Sequence, residues 1–223
     1  NVLKEKKSLR EQLRRARAKG VVVRRVSADE LAEGTPLRSR VEGLIDEWLS
    51  MRRMAPMRFL VHVHVFDFLD ERRVFIAERD GELVGLCALV PIYGRRGVFL
   101  EDLIRGRQSP NGTIETLIDA AMRAAAEEGD TFLTLGLAPL FGRVPLPLRI
   151  ARELGRAFYD FRGLGSFKQK LGPSRWSRVY LSYPESQSAM LSVYDSLAAF
   201  AHIGLARFAL HTLQLRLRAQ RTR

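Results

Sequence analysis

Residues 99–117 read FLEDLIRGRQSPNGTIETL, a stretch that begins like a β-strand and ends like an α-helix. Its first half is rich in Phe, Leu and Ile, with charged residues between them, as in a strand that ends at a polar edge. Asn111 and Gly112 allow a close backbone approach, and Thr113 is a residue type that caps helices. The stretch therefore predicts a strand that leads into a helix N-terminus, where unpaired N–H groups attract phosphate, carboxylate or oxyanion groups. An ordinary capped turn would show the same local pattern.

The flanking segments predict a mixed α/β sheet covered by helices. Two strands surround Asp80-Gly81, a hairpin signal, and the GVFLEDLIR strand is expected beside the second of them. The apolar run TFLTLGLAPL predicts an interior strand. Helices are expected over residues 4–19, 36–51, 113–129, 146–159 and from 186 onward. We also expect a short strand at 21–26, a capping box from Ser27 to Glu30 and a broken strand pair over 165–184.

This order of elements resembles the GNAT acyltransferase fold, whose fourth strand carries a bulge and whose central helix starts at the substrate cleft. The resemblance implies a GNAT-like α/β fold with a mixed, mostly antiparallel central sheet. We expect one such domain over residues 1–184 and a basic amphipathic helical tail over residues 185–223. Residues 198–223 of the tail contain no acid and five arginines. That segment is expected either to lie in a bilayer interface or to pack on protein.

Composition and charge narrow the class of protein. The chain has 223 residues, of which 46% are hydrophobic and 28% charged, which is a globular composition. Its 37 Lys and Arg against 25 Asp and Glu leave a net charge of +12. This charge favours an anionic partner, nucleic acid or a membrane surface, although a solvated arginine-rich surface has the same composition. The single cysteine, Cys87, excludes an internal disulfide framework and indicates a reducing compartment. Because the sequence begins with Asn1, we expect a piece of a longer protein.

Charged side chains concentrate at the end of the GVFLEDLIR strand. Regular alternation places Glu101 and Arg105 on one face and Asp102 on the other. A bulge would turn Asp102 towards Arg105. Either carboxylate could then orient an amine or move a proton, while Arg105 binds an anionic group. A surface ion pair is the alternative interpretation.

Four stretches, FLEDLIR, SPNGTIETL, FLTLGLAPL and GLGSFKQKLGPSRWSRVYLSY, occur in an order that resembles the C-terminal catalytic domain of the phosphatidylglycerol lysyltransferase family. The resemblance covers about residues 8–184. It implies transfer of an aminoacyl group, lysyl or alanyl, from charged tRNA to a hydroxyl of a membrane lipid such as phosphatidylglycerol. The expected location is the cytoplasmic face of the inner membrane, with an anionic phospholipid surface as partner. The family also implies a preceding GNAT-like half and a transmembrane region, and neither is visible in this sequence.

The resemblance also implies roles for individual residues. The residues expected to be catalytic are Asp102, Arg105 and Glu115. The motif residues expected to bind substrate are Lys168, Lys170, Arg178 and Tyr180. Glu101, Asn111, Gly112 and Thr113 are also expected to bind substrate, because they lie at the charged strand end and the helix N-terminus rather than because the family motifs require them. With Arg175, the basic members of this set would supply positive charge for a tRNA end or a lipid phosphate, although a solvated basic strand would look the same. Two features depart from the family pattern: Glu101 stands where a neutral residue is usual, and GPSRW inserts one residue before Trp176.

No metal or cofactor is expected, because an aminoacyl ester on tRNA is an activated co-substrate. His62 and His64 alternate in VHVHV without a carboxylate or cysteine at ligand spacing, so a structural role is expected for both. One alternative function is an acyl-CoA-dependent GNAT N-acyltransferase, but RGRQSPNGT lacks the glycine-rich pyrophosphate loop of those enzymes. The other alternative is a non-catalytic module that binds membrane or tRNA.

Overall fold

The computed structural model of the chain describes residues 6–51, 63–156, 159–200 and 210. Its described helices are α1 (Lys7–Ala18), α2 (Pro36–Ser50), α3 (Thr113–Glu127), α4 (Leu146–Gly155), α5 (Phe161–Lys170) and α6 (Ala189–Phe200). Its described strands are β1 (Val22–Val26), β2 (Arg73–Arg79), β3 (Glu82–Ile92), β4 (Gly97–Arg105) and β5 (Phe132–Thr134). The chain divides into two compact units: residues 1–51, 63–138 and 168–172 form the first, and the remainder forms the second. A domain boundary near Pro184 stays a prediction.

The first unit holds a five-stranded sheet in the order β1-β2-β3-β4-β5. The first four strands run antiparallel, whereas β5 pairs parallel with β4 after the crossover helix α3. This topology confirms the predicted GNAT-like α/β fold. Pairing between β4 and β5 extends only from Gly97–Phe132 to Phe99–Thr134, so the two strands part beyond Phe99. The rest of β4, which contains Glu101, Asp102 and Arg105, therefore has no pairing with β5.

Helices cover the sheet on both sides. Strand alternation directs Val74, Ile76, Leu86 and Ile104 into one core with Val41 and Leu44 of α2. Strand residues whose side chains point to the other face of the sheet contact α3 instead. Among them, the buried Cys87 thiol lies 3.9 Å from the Leu117 carbonyl oxygen. Burial raises the pKa of the Cys87 thiol well above its usual range, with the Asp102 charge adding to the effect. Cys87 is thus a buried thiol without a disulfide partner, as its apolar surroundings in the sequence predicted.

Local turn chemistry was predicted correctly. Asp80 and Gly81 both adopt positive φ, 51° and 81°, as a two-residue hairpin turn between β2 and β3 requires. Ser27 and Glu30 form the predicted reciprocal capping box: the Ser27 N–H donates to Glu30 Oε2 at 2.9 Å and the Glu30 N–H to Ser27 Oγ at 3.2 Å. Both features depend on neighbouring residues alone, and for that reason they can be read from the sequence.

Two predictions about the C-terminal half were wrong. The run TFLTLGLAPL does not form an interior strand: β5 covers only Phe132–Thr134 and is the last strand of the described sheet. An apolar run by itself does not distinguish a central strand from a half-buried edge segment. Residues 165–184 do not form a strand pair, because α5 extends to Lys170 and no helix or strand follows before α6. The apolar spacing at Leu164, Phe167 and Leu171 is helical, and it outweighs the β propensity of the aromatic residues nearby.

Among the described residues, the second unit contains α4, residues 161–167 of α5, α6 and irregular segments around them. The Phe141 and Trp176 rings pack with centroids 5.1 Å apart, and Arg152 Nη1 donates to the Leu140 carbonyl at 3.0 Å. The helix predicted to reach Tyr159 ends at Gly155. His62 and nearly all of the basic segment 201–223 lie outside the described residues, so predictions about them stand as before. Within the described ranges, none of the helices has the length and apolar character needed to span a bilayer.

Candidate active site at the bulge of strand β4

Strand β4 carries a β-bulge at Glu101. Asp102 lies opposite Ala88 and Leu100 opposite Leu89, which leaves Glu101 as the additional residue. The predicted bulge is therefore confirmed. An additional residue reverses the alternation before it relative to the alternation after it. Asp102 consequently keeps the facing of Ile104, towards the core beneath α2, while Leu100 turns to the opposite side of the sheet.

The predicted meeting of Asp102 and Arg105 does not occur. Asp102 pairs opposite Ala88, whereas Arg105 pairs opposite Gly85, three residues further along β3 and therefore on the opposite face. Asp102 and Arg105 both follow the bulge residue in one continuous register, so the bulge does not change their facing relative to each other, and the expected rotation of Asp102 was wrong. Arg105 is exposed, and the ion pair at the bulge joins Glu101 to Arg72 instead.

The Asp102 carboxyl has the electrostatic properties of a base for neutral pH. Its Oδ2 atom is buried and has no hydrogen-bond partner among the described residues. Burial, followed by the negative charge of Glu101, raises the pKa of Asp102 to about 6, against smaller opposing effects of Arg72 and His64. A carboxyl with a pKa near the working pH both accepts and releases a proton readily. Asp102 is thus the residue of this site that is best suited to proton transfer.

Three residues near Asp102 were not recognised from the sequence as parts of a site. Arg72 donates to the Glu101 carboxylate and to the backbone carbonyl of Asp67. His64 Nδ1 lies 2.7 Å from Asp67 Oδ2, a carboxylate three residues away that was not considered in the interpretation of VHVHV. The i, i+3 spacing of His64 and Asp67 was the available signal, whereas Arg72 has none in its local sequence. No cluster of three or more His, Cys, Asp or Glu in the described ranges is arranged to hold a metal ion.

The start of α3 is covered by α1. Gly112 is the N-cap of α3, with φ of 97°, and a Cβ there would lie 2.4 Å from the Gln12 carbonyl oxygen of α1. The close approach that Gly112 permits is therefore an approach to protein backbone. Thr113 does not cap the helix as predicted, because its hydroxyl donates to the Pro110 carbonyl at 2.8 Å. Asn111 is the exposed member of this turn.

We expect Gly112→Ala to lower the free energy of unfolding by about 2–4 kcal/mol, because the methyl group adds a collision with α1 to the strain of positive φ. Gly34→Ala is the matched control: Gly34 has a similar φ of 82°, and no atom lies within 4 Å of the added Cβ. The control should lose only about 1 kcal/mol. Urea unfolding followed by circular dichroism measures both values. Equal losses at the two positions would contradict the packing of α1 on Gly112.

The predicted lysines contact partners inside the protein. Lys168 is buried, and its ammonium donates to the Leu135 carbonyl and, at 2.9 Å, to the Leu137 carbonyl, both just beyond β5. Burial lowers the pKa of Lys168. Lys170 Nζ lies 2.9 Å from Oε1 of the nearly buried Glu115, so the structure brings these two predicted site residues together. Lys168 thus stabilises the chain where it leaves β5, and Lys170 neutralises Glu115.

The last two predicted site residues belong to the second unit. Arg178 and Tyr180 lie in the irregular segment before α6, and both side chains are exposed. The neighbouring Val179 and Leu181 are exposed as well. Substrate binding by Arg178 and Tyr180 stays a prediction.

The sequence of the chain matches a known protein family. The family model described as "Phosphatidylglycerol lysyltransferase, C-terminal" matches residues 4–183. The curated phosphatidylglycerol lysyltransferase of Bacillus subtilis (strain 168) is 28% identical over 160 residues, covering 67% of this chain and 18% of that protein. The present chain therefore spans less than a fifth of the length of that relative.

Two solved structures share the fold. L-PGS from Bacillus licheniformis superposes with a TM-score of 0.69 at 21% identity, covering 88% of this chain and 60% of that one. The C-terminal domain of a putative lysylphosphatidylglycerol synthetase from Agrobacterium fabrum gives a TM-score of 0.58 at 21% identity, covering 75% and 51%. At this level of identity the likeness concerns the fold.

Proposed function

Because the chain belongs to the phosphatidylglycerol lysyltransferase C-terminal family, we propose that it transfers an aminoacyl group from charged tRNA to a hydroxyl of a membrane lipid. Phosphatidylglycerol is the lipid that the family name indicates, and a lysyl or alanyl group is the proposed cargo. The observation that carries the proposal is the Asp102 carboxyl, which combines a buried oxygen without a partner among the described residues and a pKa of about 6. It lies on the part of β4 that has parted from β5.

The proposed reaction is a transesterification in which Asp102 moves one proton. The lipid hydroxyl attacks the ester carbonyl of the aminoacyl-tRNA, and its proton passes to the Asp102 carboxylate. The tetrahedral intermediate then collapses, the bond between the carbonyl carbon and the ribose oxygen breaks, and Asp102 returns the proton to that oxygen. One ester is exchanged for another without a net change in protons or electrons. Aminoacyl-tRNA is therefore proposed as a co-substrate, and the chemistry consumes no cofactor.

Two further residues of the first unit are proposed to bind the two substrates, although Arg105 faces the other side of β4 from Asp102. Arg105 is exposed at the end of β4, where its guanidinium can bind a phosphate of the tRNA end or of the lipid. Glu115 is proposed to bind the amine of the aminoacyl group. Its present partner, the Lys170 ammonium, has the same chemistry as a lysyl amine, which supports this role. Glu101, Asn111, Lys168, Arg178 and Tyr180 remain candidates for substrate contacts.

The net charge of +12 is consistent with both proposed partners, since tRNA and a phosphatidylglycerol surface are polyanions. We place the reaction at the cytoplasmic face of the inner membrane, where charged tRNA and lipid are both present. The chain would act there as part of a longer protein, with a preceding GNAT-like half or a transmembrane region.

A transfer assay tests the function directly. The protein is mixed with phosphatidylglycerol vesicles and tRNAs charged with labelled amino acids, and lipid products are separated by thin-layer chromatography. A labelled aminoacyl lipid that forms with wild-type protein and is lost in Asp102→Asn is the expected result. Acetyl-CoA with a mixture of amines runs in parallel. Product in that arm alone would replace the proposal with a CoA-dependent acyltransferase. Binding of tRNA or vesicles without product in either arm would support a non-catalytic module.

A further inference from the structure

Arg72 is the buried cation beside the bulge. Its side chain is only 8% exposed and makes two contacts with different parts of the chain. One guanidinium nitrogen, Nη1, pairs with the carboxylate of Glu101, the additional residue of the bulge. Its Nε donates to the backbone carbonyl of Asp67, in the turns that precede β2. A buried arginine that joins two segments through its fork of donors restricts both of them.

Arg72 immediately precedes β2, and continuing the alternation of β2 back by one residue places Arg72 on the same face of the sheet as Asp102. Arg73 begins β2 opposite Leu89, which is the residue next to the bulge on β3. Alternation directs Arg73 towards the α3 side, where its Nε lies 2.8 Å from the Glu128 carboxylate. Arg72 therefore faces the opposite side, which is the side of Val74, Ala88 and Asp102. The arginine thus reaches Glu101 from the face on which the Asp102 carboxyl lies.

From this geometry we propose that Arg72 is a positioning residue of the active site, which holds the bulge through Glu101 and thereby orients the Asp102 carboxyl towards the substrate hydroxyl. This inference rests on the function proposed above. Arg72 touches neither substrate nor the reacting atoms; it acts through Glu101 and the Asp67 backbone. A displacement of a catalytic group by about 1 Å can cost about 100-fold in rate, so a residue that holds the bulge affects turnover strongly.

The two members of the ion pair have opposite electrostatic effects on Asp102. Around its carboxyl, Glu101 raises the pKa, whereas Arg72 and His64 lower it, and the buried Cys87 thiol is uncharged. Removing the Arg72 charge should therefore raise the pKa of Asp102 above about 6, and removing the Glu101 charge should lower it. General loosening of the fold would not produce shifts of opposite sign. Opposite shifts are thus the signature of this arrangement.

The test compares Arg72→Met, Arg72→Lys and Glu101→Gln with wild-type protein. Carbon-13 NMR of protein labelled at the aspartate carboxyls gives the pKa of Asp102, assigned by its absence in Asp102→Asn. The pH profile of aminoacyl transfer to phosphatidylglycerol vesicles gives the second readout. Arg73→Met is the matched control, because it removes the adjacent arginine from the other face of the sheet. The NMR measurement needs no catalysis, so it remains informative even where wild-type protein transfers nothing.

We expect the Asp102 pKa to rise in Arg72→Met, to fall in Glu101→Gln and to stay unchanged in Arg73→Met. Arg72→Lys should keep the pKa near that of wild type, because the charge remains, while kcat falls by about 10- to 100-fold, because one ammonium does not reproduce the forked contacts. Wild-type turnover in Arg72→Lys, or shifts of equal sign in Arg72→Met and Glu101→Gln, would overturn the proposal. If Arg72→Met does not fold, the kcat of Arg72→Lys and the Asp102 pKa in Glu101→Gln test the proposal. Absence of transfer in wild-type protein together with opposite shifts would refute the proposed function while leaving the electrostatic arrangement established.

Discussion

Replacing Asp102 with Asn is expected to lower kcat for aminoacyl transfer by about 10²- to 10⁴-fold, the usual contribution of general acid–base catalysis. Asparagine has the shape of aspartate, so the bulge at Glu101 and the core beneath α2 should persist. Its amide does not accept the proton of the lipid hydroxyl. Steady-state kinetics with phosphatidylglycerol vesicles and charged tRNA measure the effect. Asp70→Asn, an exposed Asp in the turns before β2, is the matched control and should retain full activity.

The pH dependence of the same reaction follows from the pKa of about 6 for Asp102. The carboxylate is the basic form, so wild-type kcat should rise between about pH 5 and pH 7 and then level off. The residual activity of Asp102→Asn should lack this transition. Unchanged turnover in Asp102→Asn would rule out the general-base role.

Asp102→Asn should also gain stability while losing activity. The folded-state pKa of about 6 lies above the reference value of 3.8, so between these values the native state binds more protons than the unfolded state. The stability of the wild type therefore falls as pH rises from about 4 to about 6. Above about pH 6 the ionised Asp102 carboxylate carries the full cost of burying its charge. The whole shift corresponds to about 3 kcal/mol at most, and partial solvent access reduces it to roughly 1–2 kcal/mol. Thermal unfolding should show Asp102→Asn more stable than wild type at pH 7.5 and similar to it near pH 4. A loss of stability at pH 7.5 would contradict this assignment.

Replacing Lys168 with Met is expected to lower the free energy of unfolding by about 2–4 kcal/mol. The Lys168 ammonium satisfies the carbonyls of Leu135 and Leu137, where the chain departs from β5. Methionine retains the apolar stem but removes the donor, so two partly buried carbonyls lose a charge-assisted hydrogen bond. Lys19→Met, at an exposed lysine after α1, is the matched control and should change stability by less than about 0.5 kcal/mol.

The Lys168 experiment also separates two roles for the residue. Sequence resemblance predicts a lysine that binds substrate phosphate, whereas the structure shows an ammonium held by two backbone carbonyls. A structural role predicts that Lys168→Met lowers the urea concentration at the unfolding midpoint. A phosphate-binding role predicts wild-type stability with a raised KM for tRNA or lipid. Unfolding curves and kinetics on the same protein therefore decide between the two.

Local sequence was sufficient wherever the determining contacts are between near neighbours. The hairpin at Asp80-Gly81 follows from the tolerance of this dipeptide for positive φ, and the capping box follows from two residues three apart. The apolar periodicity of residues 113–127 also predicts α3 from local sequence alone. The GNAT-fold resemblance added the bulge in the GVFLEDLIR strand, and the register of the structure places that bulge at Glu101. These features require only propensity, periodicity and turn chemistry.

The composition of the site was decided by tertiary structure. Arg72 and Glu101 are 29 residues apart in sequence, and Glu115 and Lys170 are 55 apart, so no local pattern reports either pair. The facing of Asp102 depends on the register, because one additional residue reverses which side chains share a face. The sequence by itself determined the order of elements and the type of charged groups at the end of β4. Register, strand divergence and burial decided which of those groups meet and which carboxyl holds a proton near neutral pH, since these properties arise only when distant segments pack.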